Sequence, residues 1–96
     1  MKKFMFLYYG FVTSTPEIGA AWMKWFGTFE DNIVDSGNPF SRGREISHDG
    51  TKELPLEADS CTGYTIINAE SLDDAEKIAQ GCPMIHSTKV YEMGSM

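Results

Sequence analysis

The chain has 96 residues, of which 42% are hydrophobic and 23% are charged, a composition typical of one folded domain and not of a disordered segment. Its formal net charge of −6 at pH 7 argues against a protein that binds nucleic acid or an anionic membrane, because both need an excess of Lys and Arg. No apolar run approaches the roughly 20 residues that span a bilayer. We therefore expect a single cytoplasmic domain over residues 1–96.

The first part of the chain predicts a central strand followed by a long helix. Residues 3–9 are apolar at every position after Lys3, so neither face of this strand is expected to contact water. We interpret the opening MKKFMFLYYGFV as this strand and not as a signal peptide, because no small-residue cleavage site follows it. Thr15 and Pro16 are typical of a helix start, and the helix is expected from residue 17 to about residue 36, before Gly37.

The middle of the chain has weaker patterns. Residues 38–47 contain Gly43 and few large apolar side chains, which indicates an irregular or edge strand. Asp49-Gly50 is typical of a turn, and the polar, proline-containing residues 51–60 predict a long excursion without regular structure.

The last third of the chain predicts a complete strand, helix, strand unit. Residues 64–69 are rich in β-branched and apolar side chains, which favours a strand. Ser71 is a good N-cap for a helix, and Gly81 and Pro83 are expected to end it. Residues 88–93 return to an extended pattern. The order of elements is therefore β, α, β, β, α, β.

This order predicts an α+β fold, namely a ferredoxin-like βαββαβ sandwich whose antiparallel four-stranded sheet carries both helices on one face. The first and third strands have apolar residues on both sides, so the other sheet face would expose a large apolar surface. The simplest cover is a second copy of the chain, and we expect a homodimer that forms through the sheet face.

Short motifs over nearly the whole chain point to a family. They are Leu7-Tyr8-Tyr9-Gly10, Trp22 and Trp25, Gly37-Asn38-Pro39, Asp49-Gly50, the run from Gly63-Tyr64 to Ala69, Leu72-Asp73-Asp74-Ala75, Gly81-Cys82-Pro83 and Val90-Tyr91-Glu92. With these motifs, the sequence resembles the YCII-related proteins of the dimeric α/β-barrel superfamily, particularly the branch named for an Asp-Gly-Pro-Phe motif. The resemblance implies the ferredoxin-like fold and a dimeric barrel.

The chain also departs from this family. Thr51 and Lys52 stand where the named branch has Pro and Phe. Some relatives carry a His in the first helix and an Asp before the proline near the end of the second helix, proposed as an acid/base pair. Here the predicted first helix has no His and Cys82 precedes Pro83, so that pair does not transfer. The family includes a dehydrochlorinase, and more distant relatives include muconolactone isomerase and small monooxygenases.

Acid/base chemistry is the first candidate activity. His48, next to Asp49, or His86 could transfer a proton near neutral pH. Adjacent strand residues point to opposite faces, so His48 and Asp49 form a pair only if a turn begins between them. The alternative is that both histidines lie in turns or loops without a catalytic role. The predicted fold would gather at one end of the domain Tyr9, His48, Asp49, Cys61, Cys82 and His86.

Two groups of residues could bind a ligand. Arg42, Arg44 and His48 share one face of the predicted second strand and could hold a carboxylate or phosphate, or could be solvated arginines that partner surface acids. Trp22 and Trp25, with Phe26, could wall a cavity between helix and sheet and stack a planar substrate, or belong to the core. Tyr9, at the end of the first strand, is a further candidate for substrate binding.

The two cysteines have several interpretations. Cys61 and Cys82 could form a disulfide or, with the two histidines, bind zinc. Their spacing fits no metal-finger pattern, and a chain without a secretory signal is expected to keep both thiols reduced. We expect no metal and no cofactor.

The sequence therefore predicts a YCII-like homodimer that could be a cofactor-free isomerase or lyase for a small aromatic or carboxylated substrate. His48 or His86 would be the acid/base, and Arg44 would orient an anionic group. The competing hypothesis is a noncatalytic domain that binds a small molecule or another protein. An enzyme needs an open pocket with a titratable group in its wall, whereas an interaction module can be packed solid.

Overall fold

The computed structural model describes residues 1–94 and contains a four-stranded antiparallel sheet, two α-helices and a separate two-stranded hairpin. Neither helix in this part of the chain is long and apolar enough to cross a bilayer. The α+β class is confirmed. The elements are β1 (Lys2–Tyr9), α1 (Pro16–Gly27), a 3₁₀ turn (Glu30–Asn32), β2 (Ile33–Asp35), β3 (Gly43–Ser47), β4 (Gly50–Leu54), β5 (Cys61–Ala69), α2 (Leu72–Gln80) and β6 (Ser87–Met93).

Strand β1 is central, as its apolar sequence predicts. The strand order is β2-β5-β1-β6, and β1 pairs with both β5 and β6 in antiparallel register. Phe4 and Phe6 are fully buried on one side of β1, whereas Met5 and Leu7 are half-buried on the other. Both faces of β1 are therefore apolar, but only one is closed.

Helix α1 begins where predicted and ends much earlier. The Thr15 hydroxyl accepts a hydrogen bond from the Ile18 N–H at 3.2 Å, which caps the first turn. The predicted end near residue 36 is wrong, because α1 stops at Gly27. The Thr28 hydroxyl there donates to the Trp25 carbonyl oxygen at 2.6 Å. Glycine is a poor helix former, and the chain then turns back to the sheet.

The strand after α1 also differs from the prediction. The edge strand of the four-stranded sheet is β2, in which Ile33 pairs with Ile67, and not residues 38–47. Residues 43–54 instead form a hairpin that pairs only with itself; we call it the arm. The prediction of an irregular segment over residues 51–60 is wrong for its first four residues, which belong to β4. Gly50, at φ +130°, begins β4 directly after the turn residues His48 and Asp49.

Helix α2 and strand β6 agree with the prediction. The Ser71 hydroxyl accepts a hydrogen bond from the Asp74 N–H at 3.2 Å, and α2 ends at Gln80 with Gly81 as its C-cap. Antiparallel pairing then places Thr88 opposite Tyr8 and Tyr91 opposite Met5.

Both helices pack on the same face of the sheet, which we call the covered face. Its buried residues are Phe4, Phe6, Tyr8, Thr65, Ile67 and Ala69 from the strands, with Trp25, Phe29, Ala75, Ala79 and Cys82 packed on them. No element of residues 1–94 covers the opposite face, which we call the open face. By alternation along β1, β5 and β6, it carries Met5, Leu7, Tyr9, Ile66, Lys89, Tyr91 and Met93.

Candidate functional site

A cleft of about 340 Å³ opens between α1 and the end of the sheet where β1 and β5 meet. We call it the α1 cleft. Its walls come from four parts of the chain, so it depends on the tertiary fold and not on one motif. The side chains used below are Tyr8, Ser14, Trp22, Phe26, Asn38 and Pro39.

The helix supplies an aromatic wall. Trp22 is half-buried, and its ring meets the Tyr8 ring edge-to-face, with centroids 4.8 Å apart and planes at 82°. Phe26, one turn later on the same helix, lies with its ring centroid 6.0 Å from that of Trp22. Edge-to-face contact holds the indole in one orientation, so Trp22 presents part of a rigid aromatic surface to the cleft.

Trp25 has a different role from Trp22. Its side chain is 5% exposed, and its indole Nε1–H donates to the Ile78 carbonyl oxygen of α2 at 2.9 Å. It therefore joins the two helices within the core. Of the two tryptophans predicted as cavity walls, only Trp22 lines the cleft.

Tyr8 forms the floor of the α1 cleft, and its hydroxyl donates a hydrogen bond within the protein. Its OH donates to Thr65 Oγ1 at 2.7 Å, and the Thr65 hydroxyl donates to the Ser36 carbonyl oxygen at 2.9 Å. Burial raises the pKa of Tyr8 well above its ordinary value of 10.0, and the hydrogen bond with Thr65 offsets only part of this rise. Tyr8 is consequently a neutral wall at physiological pH and not a general base.

A short connection, residues 36–39, closes the side of the cleft; we call it the strap. Gly37 has φ +81°, and a Cβ at this position would collide with the Tyr64 carbonyl oxygen. Pro39 bridges to Gly63 of β5, and the Gly37 N–H donates to Asp35 Oδ1 at 2.9 Å. The strap can lie this close to the sheet only because residue 37 is glycine.

Polar groups in the cleft are few and uncharged. The residues that line it, all within the described chain, include no Asp, Glu, Lys, Arg or His. The Thr62 hydroxyl already donates to the Gly10 carbonyl oxygen at 3.0 Å. The side chains of Ser14, Ser36 and Asn38 remain available to hydrogen-bond a ligand.

The predicted acid/base residues lie elsewhere. His48 and Asp49 are the exposed turn residues at the tip of the arm, and the Asp49 N–H donates to Ser47 Oγ at 3.2 Å. His86 is exposed just before β6, where its backbone N–H donates to the Tyr9 carbonyl oxygen at 3.1 Å. Neither imidazole lines the α1 cleft.

The other predicted residues are also distributed over separate surfaces. Tyr9 is on the open face, with the Lys89 ammonium 4.6 Å from its ring centroid. Arg44 lies on the arm and pairs with Glu53, Nε to Oε1 at 2.6 Å. Arg42 precedes β3 and lines a second concavity of about 440 Å³, between the arm and the segment 55–61; we call it the arm crevice.

Of the six residues expected at one end of the domain, the structure brings the backbones of Tyr9, Cys61 and His86 next to one another. Tyr9 pairs with Cys61 across β1 and β5. Cys82 is buried on the covered face, where its sulfur accepts a hydrogen bond from the Thr88 hydroxyl at 3.5 Å. Both thiols are free. Within residues 1–94, no three His, Cys, Asp or Glu side chains lie close enough together to hold a metal ion.

Sequence reasoning did not identify Tyr8 or Asn38 as cleft residues. Tyr8 could have been found, because it continues the alternation of Phe4 and Phe6 toward the helices. Asn38 had no comparable signal, since its position depends on the strap. Comparisons with known protein families, with curated proteins and with solved structures found no match.

Proposed function

We propose that the chain is a ferredoxin-like domain of the YCII type that acts as a homodimer and binds a small, planar, uncharged aromatic molecule in the α1 cleft. One observation carries the ligand proposal: the cleft has a fixed aromatic wall and no charged side chain in its lining. Its volume of about 340 Å³ is at the lower end of the range of roughly 300–1,000 Å³ typical of ligand pockets.

The cleft favours an aromatic ring without a charge. A flat ring can stack on Trp22 and contact Pro39, and such aromatic contacts add about 0.5–1.5 kcal/mol beyond the burial of apolar area. A carboxylate placed there would lose hydration and meet no cation, which is unfavourable. Ser14 and Asn38 can instead hydrogen-bond a neutral hydroxyl or carbonyl group.

The same geometry favours binding over catalysis. His48 and His86 lie outside the cleft, and the Tyr8 hydroxyl is committed to Thr65. Acid/base catalysis by either histidine needs a substrate position that reaches the arm tip or the residues before β6. The noncatalytic alternative therefore has more support than an isomerase or lyase.

The strand order supports the ferredoxin-like part of the proposal. The order β2-β5-β1-β6, all antiparallel, with both helices on the covered face, fits a βαββαβ sandwich. In this description the arm is an insertion between the second and third strands of the sandwich. Tyr8 of the motif Leu7-Tyr8-Tyr9-Gly10 forms the floor of the cleft, and the motif Gly37-Asn38-Pro39 lies in the strap.

The surface area supports a homodimer. The chain exposes 6888 Å², whereas a compact monomer of 10.7 kDa is expected to expose about 5,500 Å². Its radius of gyration is 14.4 Å, against about 12.5 Å expected for its length. The excess of about 1,400 Å² is of the size that one partner contributes to a large interface. The exposed arm accounts for part of this excess. The open face, with Tyr91 53% exposed and Met93 38% exposed, is an apolar surface that a second copy could cover.

Light scattering during gel filtration tests the dimer. The wild-type chain should elute with twice the 10.7 kDa mass. Tyr91→Asp places a charge on the open face and should shift the protein to monomer, because a buried, unpaired carboxylate is costly. Met23→Asp is the matched control, since Met23 is 73% exposed on α1. A monomeric wild-type protein, or equal effects of the two variants, would contradict the dimer.

Nuclear magnetic resonance titration with 2-naphthol and 2-naphthoate tests the cleft. The two probes share a ring system and differ in charge at pH 7. We expect 2-naphthol to shift the Trp22 indole N–H resonance with saturation and to bind about tenfold or more tightly than 2-naphthoate. Similar affinities for both probes, or saturation without a Trp22 shift, would overturn the proposal.

Variants identify the residues responsible. Trp22→Leu should weaken 2-naphthol binding about tenfold or more, while Met23→Leu, on the exposed side of the same helix, should not change it. His48→Gln and His86→Gln should bind 2-naphthol as the wild type does. Loss of binding in either histidine variant would instead favour the acid/base hypothesis over the noncatalytic one.

A further inference from the structure

The arm crevice is a second concave site with its own chemistry. It encloses about 440 Å³ between the arm and the segment 55–61, and its lining includes neither Trp22 nor Tyr8 of the α1 cleft. Lys52 and Leu54 are two positions apart on β4, so they share one face of the arm. Leu54 lies opposite Gly43, and its side chain packs beside this glycine.

Apolar side chains form much of the crevice although they remain accessible. Phe40 is 41% exposed, Leu54 is 44% exposed and Leu56 is 37% exposed. All three line the crevice, together with Pro55. Accessible apolar side chains that surround one concavity, unlike scattered ones, indicate a binding surface.

The lining of the crevice also includes two cations. Arg42 and Lys52 line it, and neither forms an ion pair with another group among residues 1–94. Glu53 lines it too but is paired with Arg44. Glu57 is the remaining acid in the lining. In a chain with a net charge of −6, the lining of the crevice thus contains, within the described residues, two unpaired cations and one unpaired acid. Glu45 lies across the arm from Lys52 but forms no ion pair with it.

We propose that the arm crevice binds a small amphipathic carboxylate, that is, a carboxylate attached to a short alkyl chain. Arg42 and Lys52 would bind the carboxylate, through charge-assisted hydrogen bonds that are stronger than neutral ones. Phe40, Leu54 and Leu56 would cover the alkyl chain. This proposal is independent of the α1 cleft, whose uncharged lining selects the opposite kind of ligand.

Octanoate is the probe, and 1-octanol is its uncharged match. In an NMR titration of the full chain, octanoate should shift with saturation the backbone amides of the crevice residues 40–43, 52–54, 56–57 and 60–61. The dissociation constant of 1-octanol should be about tenfold or more higher, and octanoate binding should weaken as salt is added. The Trp22→Leu variant should bind octanoate as the wild type does, which separates this site from the α1 cleft.

Charge variants test the two cations. Arg42→Gln combined with Lys52→Gln should weaken octanoate binding about tenfold or more. Lys24→Gln combined with Lys77→Gln is the control, because it changes the net charge equally at exposed helix positions and should leave binding unchanged. Circular dichroism would verify that both double variants are folded.

Three results would overturn the proposal. One is octanoate binding that is equal in the wild type and in the Arg42 and Lys52 double variant. Another is a set of shifts centred on the α1 cleft. The third is no saturable shift at all, as expected if a second copy of the chain or a larger protein partner covers the crevice.

Discussion

The sheet with its two helices and the arm use the same antiparallel hydrogen bonding but differ in burial. Strand β1 has a partner on each side, and its Phe4 and Phe6 side chains are fully buried. The strands of the arm pair only with each other, and each of their residues except Gly43 is exposed. Backbone pairing alone therefore does not distinguish the two regions.

The difference indicates which region stabilises the fold and which can supply a binding surface. An isolated two-stranded hairpin is marginally stable in water, so the helix-covered sheet must supply most of the free energy of folding. Ile46 on the arm is 79% exposed and contributes little hydrophobic stabilisation in the single chain. Substitutions in the arm can thus change a binding surface at low cost to the fold.

Truncating one large apolar residue in each region should give the largest contrast. Phe6→Ala removes a fully buried ring that packs against Trp25 and Phe29, and should lower the free energy of unfolding by about 3–5 kcal/mol. Ile46→Ala should change it by less than about 0.5 kcal/mol. Guanidinium chloride unfolding measures both. A loss above about 2 kcal/mol for Ile46→Ala would mean that the arm is buried in the assembled protein.

Two glycines with positive φ give a second comparison between the sheet region and the arm. Gly37 (φ +81°) and Gly50 (φ +130°) both disfavour an L side chain, but only at Gly37 does a Cβ meet backbone, while Gly50 faces open space. Gly37→Ala should cost about 3 kcal/mol or more, and Gly50→Ala about 1–2 kcal/mol. Chemical denaturation compares them. Equal losses would show that the strap moves away from the sheet easily.

Binding provides a second readout for this pair of variants. Gly37 lies in the strap that lines the α1 cleft, so Gly37→Ala should also weaken 2-naphthol binding. Gly50→Ala alters the arm turn and should leave that affinity unchanged. Unaltered binding in a folded Gly37→Ala protein would contradict the strap as a cleft wall.

Local signals predicted the start of each helix and the central strand. Thr15 and Ser71 cap their helices through contacts with residues three positions later, so a short sequence window contains the information. The end of α1 could not be predicted in the same way. Phe29 and Ile33 continue the helical spacing of apolar residues, and both pack on the core, but they do so from a loop and from β2. The spacing of apolar residues indicates that Phe29 and Ile33 are buried. It does not indicate whether the backbone that buries them is helical or extended.

The candidate site was predictable only in part, because its parts meet through tertiary contacts. The helical stripe indicated Trp22 and Trp25 but could not separate them. Trp25 is fixed by the carbonyl oxygen of Ile78, 53 residues away, and this contact exists only after both helices dock. Arg44 was similarly a candidate to bind an anion, but in the structure Glu53 of β4 lies beside it and forms an ion pair with it. Pairing of distant segments, not residue type, decided these roles.

The two cysteines differ in burial, and this difference should affect how the free energy of unfolding depends on pH. Cys82 is buried on the covered face, and Cys61 is half-buried beside the arm crevice. Burial raises the pKa of the Cys82 thiol from 9.0 to about 11, against a smaller opposing effect of the Thr88 hydrogen bond. As pH rises, the Cys82 thiol therefore loses its proton in the unfolded chain before it does so in the folded chain. The contribution of the neutral Cys82 thiol to the free energy of unfolding is complete below pH 9 and is lost as pH rises toward 11.

Removing each thiol in turn measures this effect. Between pH 9 and 11, the wild-type free energy of unfolding should fall by up to about 2 kcal/mol on account of Cys82, and Cys82→Ala should show a correspondingly shallower decline. Some decline should persist above pH 10, because burial also raises the pKa of Tyr8. Cys61→Ala is the matched control, because it removes a thiol that lies outside the covered face. If the two alanine variants have the same alkaline slope, the covered face admits water to Cys82, and the two regions differ less in burial than their packing indicates.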